Sequence, residues 1–201
     1  MKNIILIRHG QTDSSLHNRL CGSKTDEPLN KTGINQIKNL IPILKDSKIT
    51  SIYVSPLLRA KQSGKIICEY YSEIKLVEID DLKEINFGNG EGITFKDLKE
   101  QKPVDLLKWL NKPDIFTPPN GESIIELISR VKSVLINLLA LKDENLCIIT
   151  HGGPIRAIII QTLDIPPKNY WRLKIPHGSA TKLEFSNEYF NIHYMGLNKI
   201  T

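Results

Sequence analysis

The sequence Ile4-Ile5-Leu6-Ile7-Arg8-His9-Gly10 joins a short apolar run to a basic pair and a glycine. A second sequence, Leu146-Cys147-Ile148-Ile149-Thr150-His151-Gly152-Gly153, again ends an apolar run in histidine and glycine. Glycine lets the backbone approach a ligand closely, and the start of a following helix offers free N–H groups and a positive dipole. Because ligand sites of α/β proteins gather at the carboxyl ends of parallel strands, the two runs predict one anion site at a single sheet edge.

Short β-type runs alternate with stretches of helical period along most of the chain. The predicted strands are Ile4–Ile7, Ser51–Val54, Ile74–Ile79 and Leu146–Thr150. The predicted helices cover 32–44, 56–71, 122–141 and 152–163. Pro42 is expected to bend or end the first helix early. The alternation predicts an α/β fold, a three-layer sandwich with a mostly parallel central sheet and helices on both faces.

Two further segments depart from this alternation. The segment from about 82 to 120 holds three closely spaced glycines, two short helical pieces and several prolines. We expect it to form a lid-like insertion within a single domain that spans 1–201. The tail Ser179–Leu197 alternates in polarity and predicts a hairpin that turns through Ser186-Asn187-Glu188.

Composition narrows the classes of partner. The chain has 201 residues and a net charge of +5, but its lysines are spread along the sequence and no aromatic–basic run is present. We therefore expect no nucleic-acid partner, and we expect the mild positive field to steer an anionic small molecule.

The cysteines and the apolar runs indicate the compartment. Cys21, Cys68 and Cys147 are odd in number, widely spaced and without a Cys-x-x-Cys pair, which argues against a disulfide framework and a structural zinc. The apolar stretch after Met1 is too short for a signal peptide, and no run reaches membrane-spanning length. These features predict a cytoplasmic protein with no membrane partner.

Three strand–helix junctions are expected to deliver charged groups to the same sheet edge. They carry Arg8 with His9, Arg59 and His151, and Glu84 follows the third strand. Two arginine forks match phosphate oxygens and nearly balance a phosphate dianion, so the site needs no metal and no cofactor. Histidine can act as a nucleophile. Since a bound dianion favours the protonated form of a neighbouring carboxyl group, Glu84 can give its proton to a leaving group and then activate water.

Longer sequence blocks around these residues are similar to a known family. The block Leu6-Ile7-Arg8-His9-Gly10-Gln11-Thr12 resembles the Arg-His-Gly-Glu-Thr signature of the histidine phosphatase superfamily, in the branch that contains cofactor-dependent phosphoglycerate mutase. The similarity runs along nearly the whole chain. The other matching blocks are Asn18–Gly22, Asp26–Gly33, Ser55–Ala60, Glu84–Gly92, Gly121–Ser123 and Thr150–Arg156. Among members, the short bacterial phosphatases of the α-ribazole phosphatase type are the nearest in compactness.

The resemblance implies a fold, an activity and a set of residue roles. It implies a phosphoglycerate mutase-like fold and hydrolysis of a small-molecule phosphate monoester through a phosphohistidine, with α-ribazole phosphate as a candidate substrate. It makes His9 the nucleophile, Glu84 the proton donor and His151 the second catalytic histidine. The expected phosphate contacts are Arg8, Arg59, Asn18, Ser15 and Gly152, and the expected substrate contacts are Arg19, Cys21 and Gly22.

Two positions depart from the family pattern. The glutamate after the family's His-Gly is Gln11 here, which removes a charge close to the site. A common asparagine six residues after the nucleophile is Ser15, which reaches less far toward phosphate. The retained Asn18 and Arg19 are candidates to compensate.

Several alternatives stay open. Glu91 competes with Glu84 as the acid, although its place between two glycines is more typical of a structural carboxylate in a turn. The enzymatic alternative is phosphoryl transfer of the phosphoglycerate mutase type, and the non-enzymatic one is a phospho-ligand binder. The sequence does not distinguish a monomer from a homodimer. Motifs of P-loop NTPases, cysteine phosphatases, dinuclear metal phosphatases and dinucleotide-binding proteins are missing.

Overall fold

The computed structural model of the chain describes residues 1–101 and 103–198. Strands β1 to β6 are Lys2–Arg8, Ser51–Val54, Leu76–Glu78, Asn145–Thr150, Ser179–Ser186 and Tyr189–Leu197. Helices α1 to α8 are Asp13–Leu16, Lys31–Lys38, Ile41–Leu44, Leu58–Cys68, Phe95–Gln101, Pro103–Asn111, Ile124–Ala140 and Gly152–Thr162. Short 3-10 helices cover Asp80–Leu82, Gly88–Gly90 and Pro167–Arg172.

The strands form one sheet in the order β3-β2-β4-β1-β5-β6. The first four strands of the chain are parallel, and β5 joins β1 antiparallel and carries β6 as the outer strand. In the β1–β4 pair, Arg8 lies opposite Thr150. The residues that follow these two strands, His9 and His151, therefore leave the sheet at the same level, and the predicted mostly parallel α/β sheet is confirmed.

Each face of the sheet is covered by its own apolar core. On β1, Ile4 and Leu6 face a core shared with α7 and α8, while Ile5 and Ile7 face a core shared with α2 and α4. Successive side chains of a strand point to opposite faces, so an uninterrupted apolar strand needs helices on both sides. This arrangement is the predicted three-layer sandwich.

The boundaries of the helices differ from the predicted ones mainly at proline. The helix predicted over 32–44 is divided into α2, which ends at Lys38, and α3, whose second residue is Pro42. Proline has no N–H to donate and is tolerated in the first turn of a helix, so the expected early end is confirmed.

The predicted hairpin forms between β5 and β6. Its turn residues Asn187 and Glu188 both have positive φ, 50° and 68°. Two positive φ values in a two-residue loop are typical of the type I′ turn, whose twist matches that of the strands.

The segment 82–120 contains α5 and α6, the two short helical pieces that the sequence predicts. It is joined to the loop after α1 by a short antiparallel ribbon, in which Leu20 N–H donates to the Ile93 carbonyl and Gly92 N–H donates to the Leu20 carbonyl. The division into one domain with a lid-like insertion stays a prediction. Within the described residues, every helix is too short or too polar to cross a lipid bilayer.

Candidate active site

A cleft of about 290 Å³ opens at the carboxyl ends of β1 and β4. The residues predicted for catalysis or binding that line it are Arg8, His9, Ser15, Asn18, Arg19, Cys21 and Glu84. The residues that line it without having been assigned to the site are Thr12, Leu20, Phe87, Phe95, Arg156, Trp171 and His177. The cleft thus combines cationic, imidazole and aromatic side chains.

His9 is held by its backbone and by its ring. Its N–H donates to the Thr150 carbonyl at 3.0 Å, and its own carbonyl accepts from Gly178 N–H at 3.0 Å. The ring lies with Nδ1 2.7 Å from the carbonyl oxygen of Gly10. Because a carbonyl can only accept, Nδ1 carries the proton and the lone pair of Nε2 is free. His9 is only 4% exposed, so its single accessible edge faces the cleft.

His151 is fully buried next to His9, with 4.9 Å between the ring centroids. Its Nε2 lies 2.8 Å from Ser55 Oγ, and that hydroxyl accepts from Leu57 N–H at 3.4 Å. We assign the Ser55 hydroxyl as the donor to His151 Nε2, and this assignment places the ring proton on Nδ1. His151 is left with a buried N–H donor beside the nucleophile.

Arg8 and His177 form a pair on the other side of His9. Arg8 Nη1 donates to the Ile175 carbonyl at 2.5 Å, and Nη2 donates to His177 Nε2 at 2.9 Å. The ring centroids of His177 and His9 are 5.1 Å apart. His177 thus lines the cleft beside the nucleophile.

Arg59 is fully buried behind the cleft and is absent from its lining. Its guanidinium donates to the carbonyls of Thr25 at 2.5 Å and Gly22 at 3.0 Å. Arg59 therefore holds the loop that follows Cys21 and adds positive charge close to both histidines. Its predicted phosphate contact is reduced to one nitrogen, Nε.

Four buried N–H donors around His9 have no hydrogen-bond partner within the described part of the chain. They are Arg8 Nε, Arg59 Nε, His151 Nδ1 and His177 Nδ1. Buried polar groups are nearly always paired, so a cluster of unpaired donors indicates a place where a ligand supplies the acceptors. An oxyanion with several oxygens fits such a cluster.

The three histidines are held neutral by their surroundings. Burial lowers the pKa of His9 and of His151 well below the usual range, and the positive charge of Arg59 and Arg8 adds to the effect. Burial, followed by the charge of Arg8, lowers the pKa of His177 to about 2. A neutral His9 keeps the Nε2 lone pair that a nucleophile needs.

Hydrogen bonds hold both the side chain and the backbone of Glu84. Its carboxylate accepts from Gly153 N–H, at the start of α8, at 3.0 Å and from Ile85 N–H at 2.9 Å. Its carbonyl accepts from Arg130, which also forms a two-pronged ion pair with Glu122. A Cβ at position 153 would overlap Glu84 Oε1, so only glycine allows this approach. Glu84 is 7% exposed and lines the cleft.

Other predicted residues are placed less favourably for ligand binding. Ser15 lines the cleft, but its hydroxyl donates to the Thr12 carbonyl and completes the capping box of α1, so its only proton is already used. Gly22 and Gly152 are buried and absent from the lining. Gly152 instead leaves room for the guanidinium of Arg8, which a Cβ there would approach to 3.2 Å.

The competing acid is a structural residue. Glu91 accepts from the backbone N–H of Lys24 and from the Thr25 hydroxyl, and so ties the insertion to the loop after Cys21. The preference for Glu84 over Glu91 agrees with this geometry. Within residues 1–101 and 103–198, no three His, Cys, Asp or Glu side chains are grouped to hold a metal ion, and metal independence stays a prediction.

Arg156, which was not assigned to the site, lines the cleft. It lies one helical turn after Gly152 on α8, and that spacing was the available signal, since residues four apart share a helix face. Phe95 and Trp171 carry no comparable local signal, because tertiary packing alone brings them to the cleft.

The protein has an α/β fold with a mostly parallel sheet. The two neighbouring histidines at the sheet edge and the cluster of unpaired donors around His9 form a site that is typical of a phosphate-handling protein. Residues 4–198 match the model of the histidine phosphatase superfamily, branch 1. The chain belongs to this superfamily, as its sequence blocks indicated.

Named relatives and a solved structure agree with this membership. The chain is 30% identical over 199 residues to a phosphatase named PhoE, described as uncharacterised, from Bacillus subtilis, covering 98% of this chain and 96% of that protein. It is 26% identical to the adenosylcobalamin/α-ribazole phosphatase of Salmonella typhimurium, covering 89% and 88%. The solved structure of Bacillus stearothermophilus YhfR matches with a TM-score of 0.91 at 23% identity, covering 100% and 98%. The predictions of a phosphatase-type enzyme and of a phosphoglycerate mutase-like fold are confirmed.

The neutral histidines make the stability of the ligand-free protein depend on pH. Below pH 6.5 the unfolded chain binds protons on His9, His151 and His177, and the folded chain does not. Stability is therefore greatest above that pH and falls as the pH decreases, by up to about 1.4 kcal/mol per pH unit for each histidine. Urea unfolding between pH 7.5 and 5.5 measures this slope.

His177→Asn is expected to flatten the slope by about one proton, and His17→Asn, at an exposed histidine, is the matched control. A free energy of unfolding that stays level between pH 7.5 and 5.5 would contradict the prediction.

Proposed function

We propose that the protein hydrolyses phosphate monoesters of small molecules through a phosphohistidine on His9. The observation that carries the proposal is the neutral His9 ring, with Nδ1 on the Gly10 carbonyl, amid four unpaired buried donors. Membership of a phosphatase-containing superfamily supports it.

The oxygens of a bound phosphate would accept hydrogen bonds from these four donors. Arg8 and Arg59 supply two positive charges to a dianion, and the N–H groups of His151 and His177 supply further donors. Hydrogen bonds to charged groups contribute about 1.5–3 kcal/mol each. Since these donors are already buried and fixed, they favour the charge that builds up on the phosphoryl oxygens during transfer.

In the first step, the Nε2 lone pair of His9 forms a bond to phosphorus as the bond from phosphorus to the ester oxygen breaks. The carboxyl proton of Glu84 passes to that oxygen, and the alcohol leaves. Nδ1 stays on the Gly10 carbonyl and stabilises the positive charge on the ring.

In the second step, the Glu84 carboxylate takes a proton from water, whose oxygen attacks phosphorus. The bond between phosphorus and nitrogen breaks, and its electron pair returns to Nε2. Inorganic phosphate leaves, with His9 neutral and Glu84 protonated again.

The identity of the substrate, the cellular location and the oligomeric state are parts of the proposal. The relative named an adenosylcobalamin/α-ribazole phosphatase supports testing α-ribazole phosphate as a substrate. A cytoplasmic location and a monomer or homodimer stay predictions from the sequence.

The nucleophile is tested by His9→Ala. Because no other side chain replaces the Nε2 lone pair, release of phosphate from p-nitrophenyl phosphate is expected to fall by at least about 10³-fold, and no acid-labile phosphoprotein should form. His17→Ala, at an exposed histidine, is the control. Substantial turnover by the His9 variant would remove the covalent mechanism. A wild-type protein that binds phosphate but releases none from any ester would favour a non-catalytic binder.

The acid is tested by Glu84→Gln, which keeps the size of the side chain and removes its proton donor. Turnover of alkyl phosphates is expected to fall by about 10²–10⁴-fold, and formation of phosphoenzyme from p-nitrophenyl phosphate much less, because a good leaving group needs little protonation. Phosphoenzyme should then accumulate, since the same group activates water. Glu91→Gln is the matched control. Equal losses for both leaving groups, without accumulation, would assign Glu84 a structural role.

The placement of the acid is tested by Gly153→Ala. The new methyl group would displace the Glu84 carboxylate. Turnover of alkyl phosphates is expected to drop by about 10²-fold, and circular dichroism checks that the variant is folded. The matched control is Gly90→Ala, where a Cβ makes only ordinary contacts. Wild-type rates for Gly153→Ala would mean that Glu84 works from another position.

A further inference from the structure

The cleft has two chemically different halves. One half is the cationic cluster around His9. The other is an apolar wall formed by Leu20, Phe87, Phe95 and Trp171. These four side chains come from the loop after α1, the insertion and the last 3-10 helix. The phosphoryl chemistry described above uses none of them.

The wall is fixed from behind by a buried tryptophan. Trp109, 3% exposed, makes edge contacts with Phe87 and Trp171 at centroid distances of 5.3 and 4.9 Å, and it lies nearly parallel to Phe95 at 6.2 Å. Trp171 Nε1 donates to the Trp109 carbonyl at 2.9 Å. Trp171 has therefore used its polar group within the protein, and what remains for a ligand is an apolar surface held in place before binding.

Part of this wall is open to solvent. Phe95 is 42% exposed although it lies in the cleft, and it is attached through the ribbon in which its N–H approaches the Asn18 carbonyl at 3.4 Å. Covering an exposed aromatic ring with an apolar group removes unfavourable contact with water. The wall is thus able to add binding energy beyond that of the phosphate.

The charges around the wall select against cations. Among the described residues that line the cleft, Glu84 is the single carboxylate, and it is bound to the start of α8. Arg19, at the rim, donates to the Gly92 carbonyl and adds positive charge. An ammonium group on the leaving alcohol would find no second carboxylate among the described residues that line the cleft.

We propose that Leu20, Phe87, Phe95 and Trp171 form a leaving-group subsite for uncharged alcohols that bear a flat aromatic ring. The inference rests on the proposed hydrolysis of phosphate monoesters, since it assigns the alcohol half of that substrate. It predicts that the enzyme distinguishes esters of equal chemical reactivity by their apolar part.

The test compares primary alkyl esters with leaving groups of similar basicity. The values of kcat/KM for 2-phenylethyl phosphate and ethyl phosphate are expected to differ by about 10–100-fold in favour of the aromatic ester, as burial of a phenyl ring implies. O-phosphoethanolamine, a primary ester with an ammonium group and no carboxylate, is expected to do no better than ethyl phosphate. A ratio near one, or a preference for phosphoethanolamine over the aromatic ester, would overturn the subsite while leaving the hydrolysis itself in place.

Substitutions in the apolar wall test whether its residues cause the preference for the aromatic ester. Phe95→Leu is expected to lower the preference for 2-phenylethyl phosphate by about tenfold. Phe190→Leu, at an aromatic residue of the β5–β6 hairpin, is the matched control and should keep the preference. Trp171→Leu provides a second variant from a different segment. An unchanged preference in both wall variants would place the discrimination elsewhere.

A binding measurement separates failure of the subsite from failure of the chemistry. Calorimetry with 3-phenylpropylphosphonate and propylphosphonate uses the same two shapes without a cleavable bond. The aromatic phosphonate is expected to bind about tenfold more tightly. Equal affinities would overturn the subsite, whatever the turnover. If neither ester is hydrolysed but the phosphonates differ in affinity, the proposed hydrolysis fails and the aromatic subsite stands.

Discussion

The backbone N–H of His9 donates to the carbonyl of Thr150. This bond extends the parallel pairing of β1 with β4 by one residue beyond the end of β1. The His9 carbonyl is in turn bound by Gly178 N–H, just before β5. The nucleophile is therefore part of the sheet's own hydrogen-bond ladder. Thr150 also donates its hydroxyl to the Leu82 carbonyl at 2.6 Å, which brings the segment leading to Glu84 to the same edge. Backbone pairing thus sets the distance between the nucleophile, His9, and the acid, Glu84, before any ligand arrives.

Positive charge is concentrated at the same edge of the sheet, and this lowers the stability of the ligand-free protein. Burial, opposed by Glu84 and reinforced by Arg156 and Arg59, lowers the pKa of Arg8 to about 10. The cluster is tolerated because protein carbonyls accept from the arginine forks and because the histidines stay neutral. Among the described residues, four of the buried N–H donors that remain unpaired surround His9. A site that would be more stable with its donors satisfied is a site prepared to bind an anion, and functional sites commonly have this cost.

Sequence reasoning succeeded where local periodicity determines position. Buried parallel strands read as continuous apolar runs, and residues that follow them must meet at one edge, so His9, His151 and Glu84 could be placed together without coordinates. It gave an incomplete account where a side chain has more than one use. Ser15 has the right position for a ligand contact but completes a helix cap instead, and Arg59 spends two of its nitrogens on loop carbonyls. Trp171 could not be predicted because the folding of a distant segment brings it to the cleft.

Glu84 and two residues of the apolar wall, Phe87 and Phe95, come from the same insertion but are anchored differently. Arg130 on α7 binds Glu122 and the carbonyls of Asp81 and Glu84. These bonds attach the start of the insertion to a helix that packs on the sheet. Phe95 is attached through the ribbon with the loop after α1, several residues beyond that anchor. Changes in sequence between the two attachments can therefore alter the apolar wall without moving the Glu84 carboxylate. This separation allows one fixed phosphoryl chemistry to be combined with different leaving groups, because loops that choose a substrate can vary on a rigid scaffold.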